Sequence, residues 1–365
     1  MKVLGMLSMA NLEPAFRTAA RLTGITLLLP RPTKRTLDLG VRYSPETICL
    51  PFKVILGTFI ECLEQGADTL FMIKSSNNAC RMGYYHFLQE AILRDLGFKF
   101  EFLRYKAERK NIFSVLKAIK EYTNNSSWRT VIKAYQLGTT KLKIFDNLER
   151  KLHFLRPRVK DKARLEQIAK EAIEEIAETL DVTTAKKMGE RYFQEMDKIP
   201  WDSNTKPLKV MVIGEIYAVM EPFTNMEIEK ELGWLGCEVK RTRSTFFSEY
   251  LSPLNYIGAL DKEKERLRRF AFPFLRRDIS AHGLESVGEI ASSSGRFDGV
   301  IHLAPFSCLP EVVARNIMKA MKNGVPVLSI SLDEQLAKTN LMTRLEAFVD
   351  LMGGMRKRKG EKFDS

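Results

Sequence analysis

Short apolar runs separated by single helices occur in two separate parts of this chain, and this pattern limits the folds it can adopt. In the first part, the predicted strands are KVLGMLS, ITLLLP, TLFMIK and FKFEFL. From Pro207 the pattern restarts, with predicted strands LKVMVIG, CEVKRT, DGVIHLA and PVLSIS. Parallel strands need crossover connections, and the crossover helices cover both faces of the sheet. Each part therefore predicts a doubly wound α/β domain.

The two α/β parts are also similar to each other, which predicts a two-domain chain. LKVMVIG is similar to MKVLGML, and VMEPFTNMEIEKELGWLG parallels the predicted helix NLEPAFRTAARLTG. Between the two parts, RLEQIAKEAIEEIAETL has the apolar spacing of an amphipathic helix. We therefore predict two Rossmann-like parallel-sheet domains joined by a helical segment. The predicted boundaries are an N-terminal domain over 1–105, a basic helical segment over 106–205, a C-terminal domain over 206–352 and a basic tail over 353–365.

The net charge favours anionic partners. The chain has 58 lysine and arginine residues against 45 aspartate and glutamate residues, a formal charge of +13. Nucleic acid, an acidic protein and a phosphate-bearing ligand all fit such an excess. The densest basic stretch of the helical segment, KLHFLRPRVKDKAR, fits either a solvated helix face or a docking surface. No recognised DNA- or RNA-binding motif accompanies the charge, so nucleic-acid binding is the remote alternative.

Composition and cysteine content indicate a cytoplasmic globular protein. Hydrophobic residues make up 45% of the chain and charged residues 28%, which is the balance of a packed domain. No apolar run approaches the roughly 18 residues of a membrane span, and the start of the chain lacks the apolar centre of a signal peptide. Five cysteines, an odd number, favour a reducing compartment, where metal binding or catalysis is commoner than disulfides.

Three of the five cysteines share one kind of position. The tripeptide Cys-Leu-Pro occurs at 49–51 and again at 308–310, each time where a helix is predicted to begin with proline in its first turn. Cys80 follows the predicted strand TLFMIK and precedes the next predicted helix. The positive end of a helix stabilises a thiolate, and thiolates bind soft metals. Two interpretations stay open for the three cysteines at this point: ordinary buried thiols, or metal ligands that meet across the cleft between the domains.

The remaining two cysteines fit a packing role. Cys62 lies within the predicted helix FKVILGTFIECLEQG, and Cys237 opens the strand CEVKRT. Free cysteine is often a small buried hydrophobe, so both are predicted in the core. No C-x-x-C pair occurs in the sequence, which excludes zinc fingers and ferredoxin-type loops. The sequence also lacks G-x-x-x-x-G-K-[ST] and G-x-G-x-x-G, so the chain is expected to bind neither ATP nor NAD.

Six stretches spread over both α/β parts carry a family resemblance: KRTLDLGVRYSPETICLPFKVILG, NNACRMGYY, GEIYAVMEPFTNMEIE, HGLESVGE, DGVIHLAPFSCLPE and TRLEAFVDLM. In these stretches the chain resembles the 2-hydroxyacyl-CoA dehydratase and benzoyl-CoA reductase superfamily. Within that superfamily it looks like the stand-alone proteins related to the D component of 2-hydroxyglutaryl-CoA dehydratase or to the CoA-enzyme activase. The helical segment between the two parts carries little of the resemblance.

The resemblance implies a cofactor, a substrate class and a partner. Members of the superfamily hold an oxygen-sensitive [4Fe-4S] cluster, or in one branch a double-cubane cluster, through three cysteines at the positions of Cys49, Cys80 and Cys308. Three thiolates leave one iron open, and in the dehydratases that iron binds the thioester carbonyl of an acyl-CoA. A partner that hydrolyses ATP and carries its own iron–sulfur cluster supplies a low-potential electron. The implied assembly is a homodimer or a heterodimer with a related subunit.

Polar residues near these cysteines are further candidates for the site. Arg81 and Lys53 lie within a few residues of Cys80 and Cys49, where they would offset an anionic cluster or hold a substrate carboxylate or phosphate. The alternative for both is a surface charge at a helix start. Tyr84 is a candidate for contact with the cofactor in the cleft, with a core position as its alternative.

Acidic and histidine side chains complete the set of candidates. Glu215 follows a predicted strand at its carboxyl end, where sites form in such sheets. His282 lies beside a glycine and is a candidate for a polar role in the cleft; with Arg81, these two residues are the candidate catalytic groups. His302, inside a predicted strand, is expected to be a satisfied core residue. Glu311 is expected only to cap the helix that follows Cys308.

Two main classes of function remain open. The first is an enzyme, either a lyase of the (R)-2-hydroxyacyl-CoA dehydratase type or a component of an ATP-dependent reductase, that acts on an acyl-CoA or a small reducible molecule at the open iron. The second is a non-catalytic cluster protein that relays electrons or supports the assembly of a dehydratase-like complex. An exchangeable site on the cluster that responds to substrate would distinguish the first class from the second.

Overall fold

The structure is a computed structural model with two four-stranded, entirely parallel sheets, each packed with helices. It describes residues 2–74, 81–106, 112–123, 126–242, 245–250, 259–279, 282–293, 295–321 and 324–358. The predicted fold class is confirmed, including the helical stretch that links the two sheets. Within the described ranges, no helix combines the length and the apolar character needed to span a lipid bilayer.

The first sheet has the strand order β2-β1-β3-β4. Its strands are β1 (Lys2–Met6), β2 (Ile25–Leu28), β3 (Thr69–Lys74) and β4 (Glu101–Lys106). The accompanying helices are α1 (Leu12–Leu22), α2 (Lys34–Tyr43), α3 (Leu50–Glu64), α4 (Tyr85–Asp95) and α5 (Ile112–Tyr122), with a 3-10 turn over Arg81–Tyr84. Strand β1 lies inside the sheet, since its Gly5 pairs with Leu28 on one side and with Leu70 on the other.

Three long helices follow the first sheet: α6 (Trp128–Leu155), α7 (Lys162–Ala177) and α8 (Val182–Asp197). The chain forms two compact units, and each of these helices contributes residues to both. Unit 1 comprises Met1–Asp146, Ala172–Glu190 and Phe247–Asp261, and unit 2 comprises Asn147–Glu171, Arg191–Phe246 and Lys262–Ser365. The predicted division into a domain over 1–105 and a separate segment over 106–205 stays a prediction.

A buried lysine holds α6 against its neighbours within unit 1. Lys141 is fully buried, and its ammonium group donates to the carbonyl oxygens of Ala177 and Thr179, each at 2.7 Å, and to the hydroxyl of Thr18. The ammonium group has three donors, so these three acceptors satisfy it completely. Ala177 is the last residue of α7, and the last carbonyl groups of a helix have no partner within the helix. The Lys141 ammonium group supplies that partner for Ala177.

The second sheet repeats the first, with the order β6-β5-β7-β8. Its strands are β5 (Leu208–Gly214), β6 (Cys237–Arg241), β7 (Gly299–Pro305) and β8 (Val327–Leu332). The helices that follow β5 along the chain are α9 (Ile216–Met220), α10 (Pro222–Asn225), α11 (Ile228–Trp234), α12 (Phe247–Tyr250), α13 (Ala259–Ala271), α14 (Gly283–Ala291), α15 (Leu309–Ala320) and α16 (Lys338–Arg358). Of these, α12 and the start of α13 belong to unit 1. The shared order confirms that the two sheets are similar, as the sequence repeat predicts.

The counterpart of α1 in the second half is broken into three short helices, α9, α10 and α11. Pro222 begins α10, and without an amide hydrogen it cannot bond the carbonyl of Ala218 four residues earlier. The side-chain amide of Asn225 donates to that carbonyl instead, at 2.9 Å. Met226 and Glu227 then adopt left-handed conformations, with φ of 56° and 59°, which separates α10 from α11. The sequence repeat predicts a single helix here, and that prediction is wrong.

Two glycines allow α2 and α3 to pack with their backbones in close contact. The space beside Gly40 is filled by the carbonyl group of Lys53, and the space beside Gly57 by the carbonyl group of Thr36. A Cβ at either position would overlap backbone atoms, which cannot move aside as a flexible side chain can. The Thr36 hydroxyl adds a buried hydrogen bond of 2.8 Å to Glu61 on α3. These contacts fix where α3 begins, immediately after Cys49.

We predict that Gly40→Ala lowers the free energy of unfolding by roughly 1–3 kcal/mol, because the new methyl group forces two helix backbones apart. Urea denaturation monitored by circular dichroism measures this change. Gly354→Ala is the matched control, since Gly354 lies in α16 with open space beside it. That substitution should leave stability unchanged or raise it by up to ~1 kcal/mol through helix propensity. Equal effects of the two substitutions would contradict the packing argument.

Candidate functional site

Cys49 lies at the start of a buried helix, as predicted. It is the N-cap residue of α3, and Pro51 occupies the first turn. The residue is buried, and its sulfur contacts the hydroxyl group of Tyr85 at the start of α4. Tyr85 is itself buried and held edge-on against Phe52, with ring centroids 4.9 Å apart. Either atom can be the donor in this contact. The positive end of a helix favours the thiolate form of cysteine, and for a thiolate the hydroxyl is the donor.

Two cationic side chains hold the turn that leads into Cys49. Lys53 is buried one turn into α3, and its ammonium group donates to the carbonyl of Glu46 at 3.0 Å. Arg81, whose residue is exposed, donates to the carbonyl of Thr47 at 3.4 Å. Both candidates therefore bind the turn before Cys49, one from α3 and one from the 3-10 turn. Arg81 is exposed, as a surface charge at a helix start would be, and a role of either residue beside a cofactor stays a prediction.

The roles of Tyr84 and Cys80 in unit 1 both stay predictions. Tyr84 is 51% exposed and stacks on Phe87 with ring centroids 6.5 Å apart. The tyrosine that contacts Cys49 is its neighbour, Tyr85. Cys80 lies outside the described residues, so its predicted position at a helix start stays a prediction.

Cys62 and Cys237 differ from Cys49 in the way predicted. Both are fully buried, Cys62 within α3 and Cys237 at the first position of β6. Burial raises the pKa of each thiol to about 12, so both stay protonated at neutral pH. Their role as small core residues is confirmed. They therefore serve as internal controls for any experiment on the other cysteines.

Cys308 has the same setting in unit 2. It is the N-cap residue of α15, it is buried, and Pro310 occupies the first turn. A tight turn joins it to β7: its amide donates to the carbonyl of Pro305 at 2.9 Å, and Ser307 between them is left-handed, with φ of 63°. Both copies of Cys-Leu-Pro thus place a buried thiol at the positive end of a helix.

A buried chain of polar groups lies one turn beyond Cys308. The Nδ1 atom of His302 is 2.9 Å from the hydroxyl oxygen of Ser329, and its Nε2 atom is 2.8 Å from Oε2 of Glu311. The Ser286 hydroxyl donates to the same carboxylate oxygen at 3.1 Å. His302 and Glu311 are both fully buried, and Oε1 of Glu311 has no hydrogen-bond partner among the described residues.

The contacts of His302 and Glu311 confirm one prediction and correct another. His302 is a satisfied core residue, as expected. The expectation that Glu311 merely caps α15 is wrong, because its carboxylate points to His302 and Ser286 and is wholly buried. Burial of a carboxylate is unfavourable unless it is paired, and β7 supplies the pairing partner. His302 and Glu311 are nine residues apart, one in a predicted strand and one in the first turn of the next predicted helix. This spacing is the feature of the sequence that could have predicted their contact.

Glu215 lies at the carboxyl end of β5, as predicted. Its side chain caps α9 by accepting the amide of Ala218 at 2.9 Å, and the residue is buried. Burial raises the pKa of Glu215 to about 7, and the negative charge of Glu311 adds to the increase. Tyr217 is buried nearby, and its hydroxyl has no hydrogen-bond partner among the described residues. The carboxyl edge of the second sheet thus gathers two carboxyl groups, a histidine and a phenol.

The other candidates in unit 2 lie at helix starts. His282 is the N-cap residue of α14, and its carbonyl accepts the amide of Ser286 at 2.8 Å, so it adjoins the Ser286–Glu311 contact. Glu221 caps α10 by accepting the amide of Phe223 at 3.3 Å. Within the described ranges, no three histidine, cysteine, aspartate or glutamate side chains are grouped in a way that could hold a metal ion.

These features define a class: an α/β protein with two Rossmann-like parallel sheets, in which a buried cysteine occupies the N-cap position of a helix in each half. The family model described as CoA enzyme activase uncharacterised domain (DUF2229) matches residues 4–244, more than half of the chain. The chain therefore belongs to this family. The match includes Cys49, Cys80 and Glu215 and ends before His282 and Cys308. No curated protein matches the sequence.

We predict that Glu215→Gln weakens the dependence of stability on pH. The ordinary glutamate pKa is 4.5 and the folded value is about 7, so between these values the folded state binds the extra proton. Wild-type stability therefore falls as pH rises through this window, by ~3 kcal/mol from this residue at ~1.4 kcal/mol per pKa unit. Glutamine keeps the oxygen that caps α9 and has no charge to desolvate.

Urea denaturation at about pH 5 and about pH 8 measures the free energy of unfolding of wild type and variant. These two pH values enclose most of the range between the unfolded and folded pKa values of Glu215. The variant should gain stability relative to wild type at the higher pH. Glu346→Gln, at an exposed position of α16, is the matched control and should leave the pH dependence unchanged. A Glu215→Gln curve parallel to wild type would contradict the assignment.

Proposed function

We propose that this protein is an iron–sulfur protein of the 2-hydroxyacyl-CoA dehydratase type, with Cys49, Cys80 and Cys308 as the cysteine ligands of one [4Fe-4S] cluster. The observation that carries the proposal is the repeated geometry of Cys-Leu-Pro. Both described copies hold a buried thiol as the N-cap of a helix, while Cys62 and Cys237 are inert core thiols. Membership of a family associated with CoA-enzyme activases is consistent with this proposal.

The surroundings of Cys49 fit an anionic cluster better than a neutral buried thiol. An isolated buried thiol needs neither a hydroxyl donor nor adjacent cations, because the protonated form carries no charge. Here the Tyr85 hydroxyl contacts the sulfur, and the side chains of Lys53 and Arg81 bind the two carbonyls just before it. A thiolate bound to iron needs such compensation, and hydrogen bonds to the ligand sulfur raise the reduction potential of iron–sulfur clusters.

In this proposal, each residue around Cys49 has a specific role, as do the three cysteines. Cys49, Cys80 and Cys308 supply the three thiolates. Tyr85 donates to the sulfur of Cys49, and the cations of Lys53 and Arg81 keep the turn before Cys49 in place and offset negative charge. When bound, a three-cysteine cluster supplies low-potential electrons and one iron free to bind an acyl-CoA thioester or a small reducible substrate. The electron comes from a separate activator protein that hydrolyses ATP.

In unit 2, the proposed proton-handling groups are Glu215 and His282. Glu215, with its pKa of about 7, exchanges a proton near neutral pH, as a general acid or base must. Its carboxyl group lies at the carboxyl end of β5, the edge at which parallel sheets bind ligands. His282 starts the helix that carries Ser286, so it belongs to the same edge.

We predict that Cys49→Ala, Cys80→Ala and Cys308→Ala each lose bound iron, whereas Cys62→Ala and Cys237→Ala keep it. Iron and acid-labile sulfide are measured per chain after oxygen-free purification or reconstitution, with electron paramagnetic resonance on the reduced sample. About four irons per chain in wild type would agree with a single cube. A clearly higher content would favour the double-cubane alternative. Wild type without iron after careful reconstitution would overturn the proposal.

A second prediction concerns Tyr85 alone. Tyr85→Phe removes the hydroxyl that contacts Cys49 but keeps the ring that packs on Phe52. The variant should bind the same amount of iron and have a lower reduction potential, because one donor to a ligand sulfur is lost. A potentiometric titration followed by electron paramagnetic resonance measures the shift. Tyr84→Phe is the matched control, since Tyr84 is half exposed beside it; equal potentials in both variants would remove Tyr85 from the site.

A further inference from the structure

Three exposed phenylalanine side chains lie close together at the end of α13, in a segment of unit 2 that takes no part in the proposed cluster site. Phe270, Phe272 and Phe274 are 44%, 58% and 49% exposed. They alternate with anchored residues: Leu267 and Ala271 are buried, and Leu275 packs against the core beneath the second sheet. The core contacts hold the backbone in place, so the three rings are presented to solvent by a fixed support.

Four arginines flank these rings. The segment 267–277 reads LRRFAFPFLRR, so every residue in it is leucine, arginine, phenylalanine, alanine or proline. The side chains of Arg268 and Arg269 are 53% and 80% exposed. Arg268 forms an ion pair with Asp278 at 3.4 Å, and Arg269 forms one with Glu265 at 3.5 Å. For Arg276 and Arg277, both exposed, the described residues contain no acidic partner within ion-pair distance. We call these seven residues the Arg–Phe surface: Arg268, Arg269, Phe270, Phe272, Phe274, Arg276 and Arg277.

We propose that the Arg–Phe surface docks on an anionic lipid membrane. Aromatic side chains that enter the boundary between headgroups and acyl chains, flanked by cations that meet anionic headgroups, are the requirements for binding at a membrane surface. Pro273 restricts the backbone between the second and third rings, so little conformational freedom is lost when they bind. Two arginines on each side flank the three rings within eleven residues, which brings both kinds of group together in one segment.

Two other occupants fit the same residues less well. A second copy of the chain would bring arginines against arginines, and like charges at an interface are unfavourable. Single-stranded nucleic acid also combines cations with aromatic stacking, but in such proteins the cations line a groove that follows the sugar–phosphate backbone. Here the four arginines lie at the two ends of one segment, on either side of the three rings. A lipid surface requires no groove, because the rings enter it directly and the cations meet headgroups around them.

The test is co-sedimentation of the full-length protein with vesicles of phosphatidylcholine and phosphatidylglycerol, compared with vesicles of phosphatidylcholine alone. Wild type should sediment with the anionic vesicles, and added salt should weaken binding. Phe272→Ala combined with Phe274→Ala should lower the affinity by at least about tenfold, since two half-exposed rings no longer enter the lipid. Arg276→Glu with Arg277→Glu should abolish the preference for anionic vesicles, whereas the paired Arg→Lys substitutions should keep it.

Matched controls separate docking from folding. Phe113→Ala removes an exposed phenylalanine of unit 1 and should leave vesicle binding unchanged. Thermal unfolding of each variant should match wild type, because the substituted side chains lie outside the core. Absence of wild-type binding to anionic vesicles would overturn the proposal, as would unchanged binding of the Phe and Arg variants. If wild type does not bind vesicles, two further assays identify the occupant. Binding of oligodeoxythymidine that the variants lose would indicate nucleic acid. Self-association in sedimentation velocity that the variants lose would indicate a second copy of the chain.

Discussion

The position of Cys49 depends on the contact between the backbones of α2 and α3. Gly40 and Gly57 let the two helices approach until a carbonyl of each fills the space where the other would have a Cβ. Cys49 is the residue immediately before α3, so this contact sets both the location of its sulfur and the direction of the helix dipole acting on it. Lys53, whose carbonyl lies against Gly40, also anchors the preceding turn through its side chain. One packing constraint thus fixes a thiol, a cation and a helix start together.

The second half of the molecule organises its site differently, through polar groups that the sheet itself buries. His302 is fixed by the pairing of β7 between β5 and β8, and it holds Glu311 in the first turn of α15. At the end of β5, burial raises the pKa of Glu215, and the charge of Glu311 adds to this increase. The start of α15 is tied to the sheet by this chain and by the tight turn at Ser307.

The periodic parts of the fold were predictable, and the contacts between distant residues were not. Strand–helix alternation predicts both sheets, and proline after cysteine predicts the starts of α3 and α15, because these signals are local. The sequence repeat failed at Pro222, where a missing amide hydrogen breaks the helix. The contact of Tyr85 with Cys49 and that of Glu311 with His302 depend on tertiary packing. A glutamate in a first helical turn has the same local pattern whether it faces solvent or the core, so sequence alone favoured the commoner, capping interpretation.

Proline at the second helical position has one further consequence for both copies of Cys-Leu-Pro. An N-cap side chain usually accepts a hydrogen bond from the amide of the second or third helical residue. Pro51 and Pro310 have no amide hydrogen, so each helix offers its N-cap sulfur one intrahelical donor fewer. The tripeptide thus begins a helix and at the same time lowers the number of helix amides that can donate to its cysteine. A sequence unit of three residues is small enough to be reused wherever a chain begins a helix at a buried thiol.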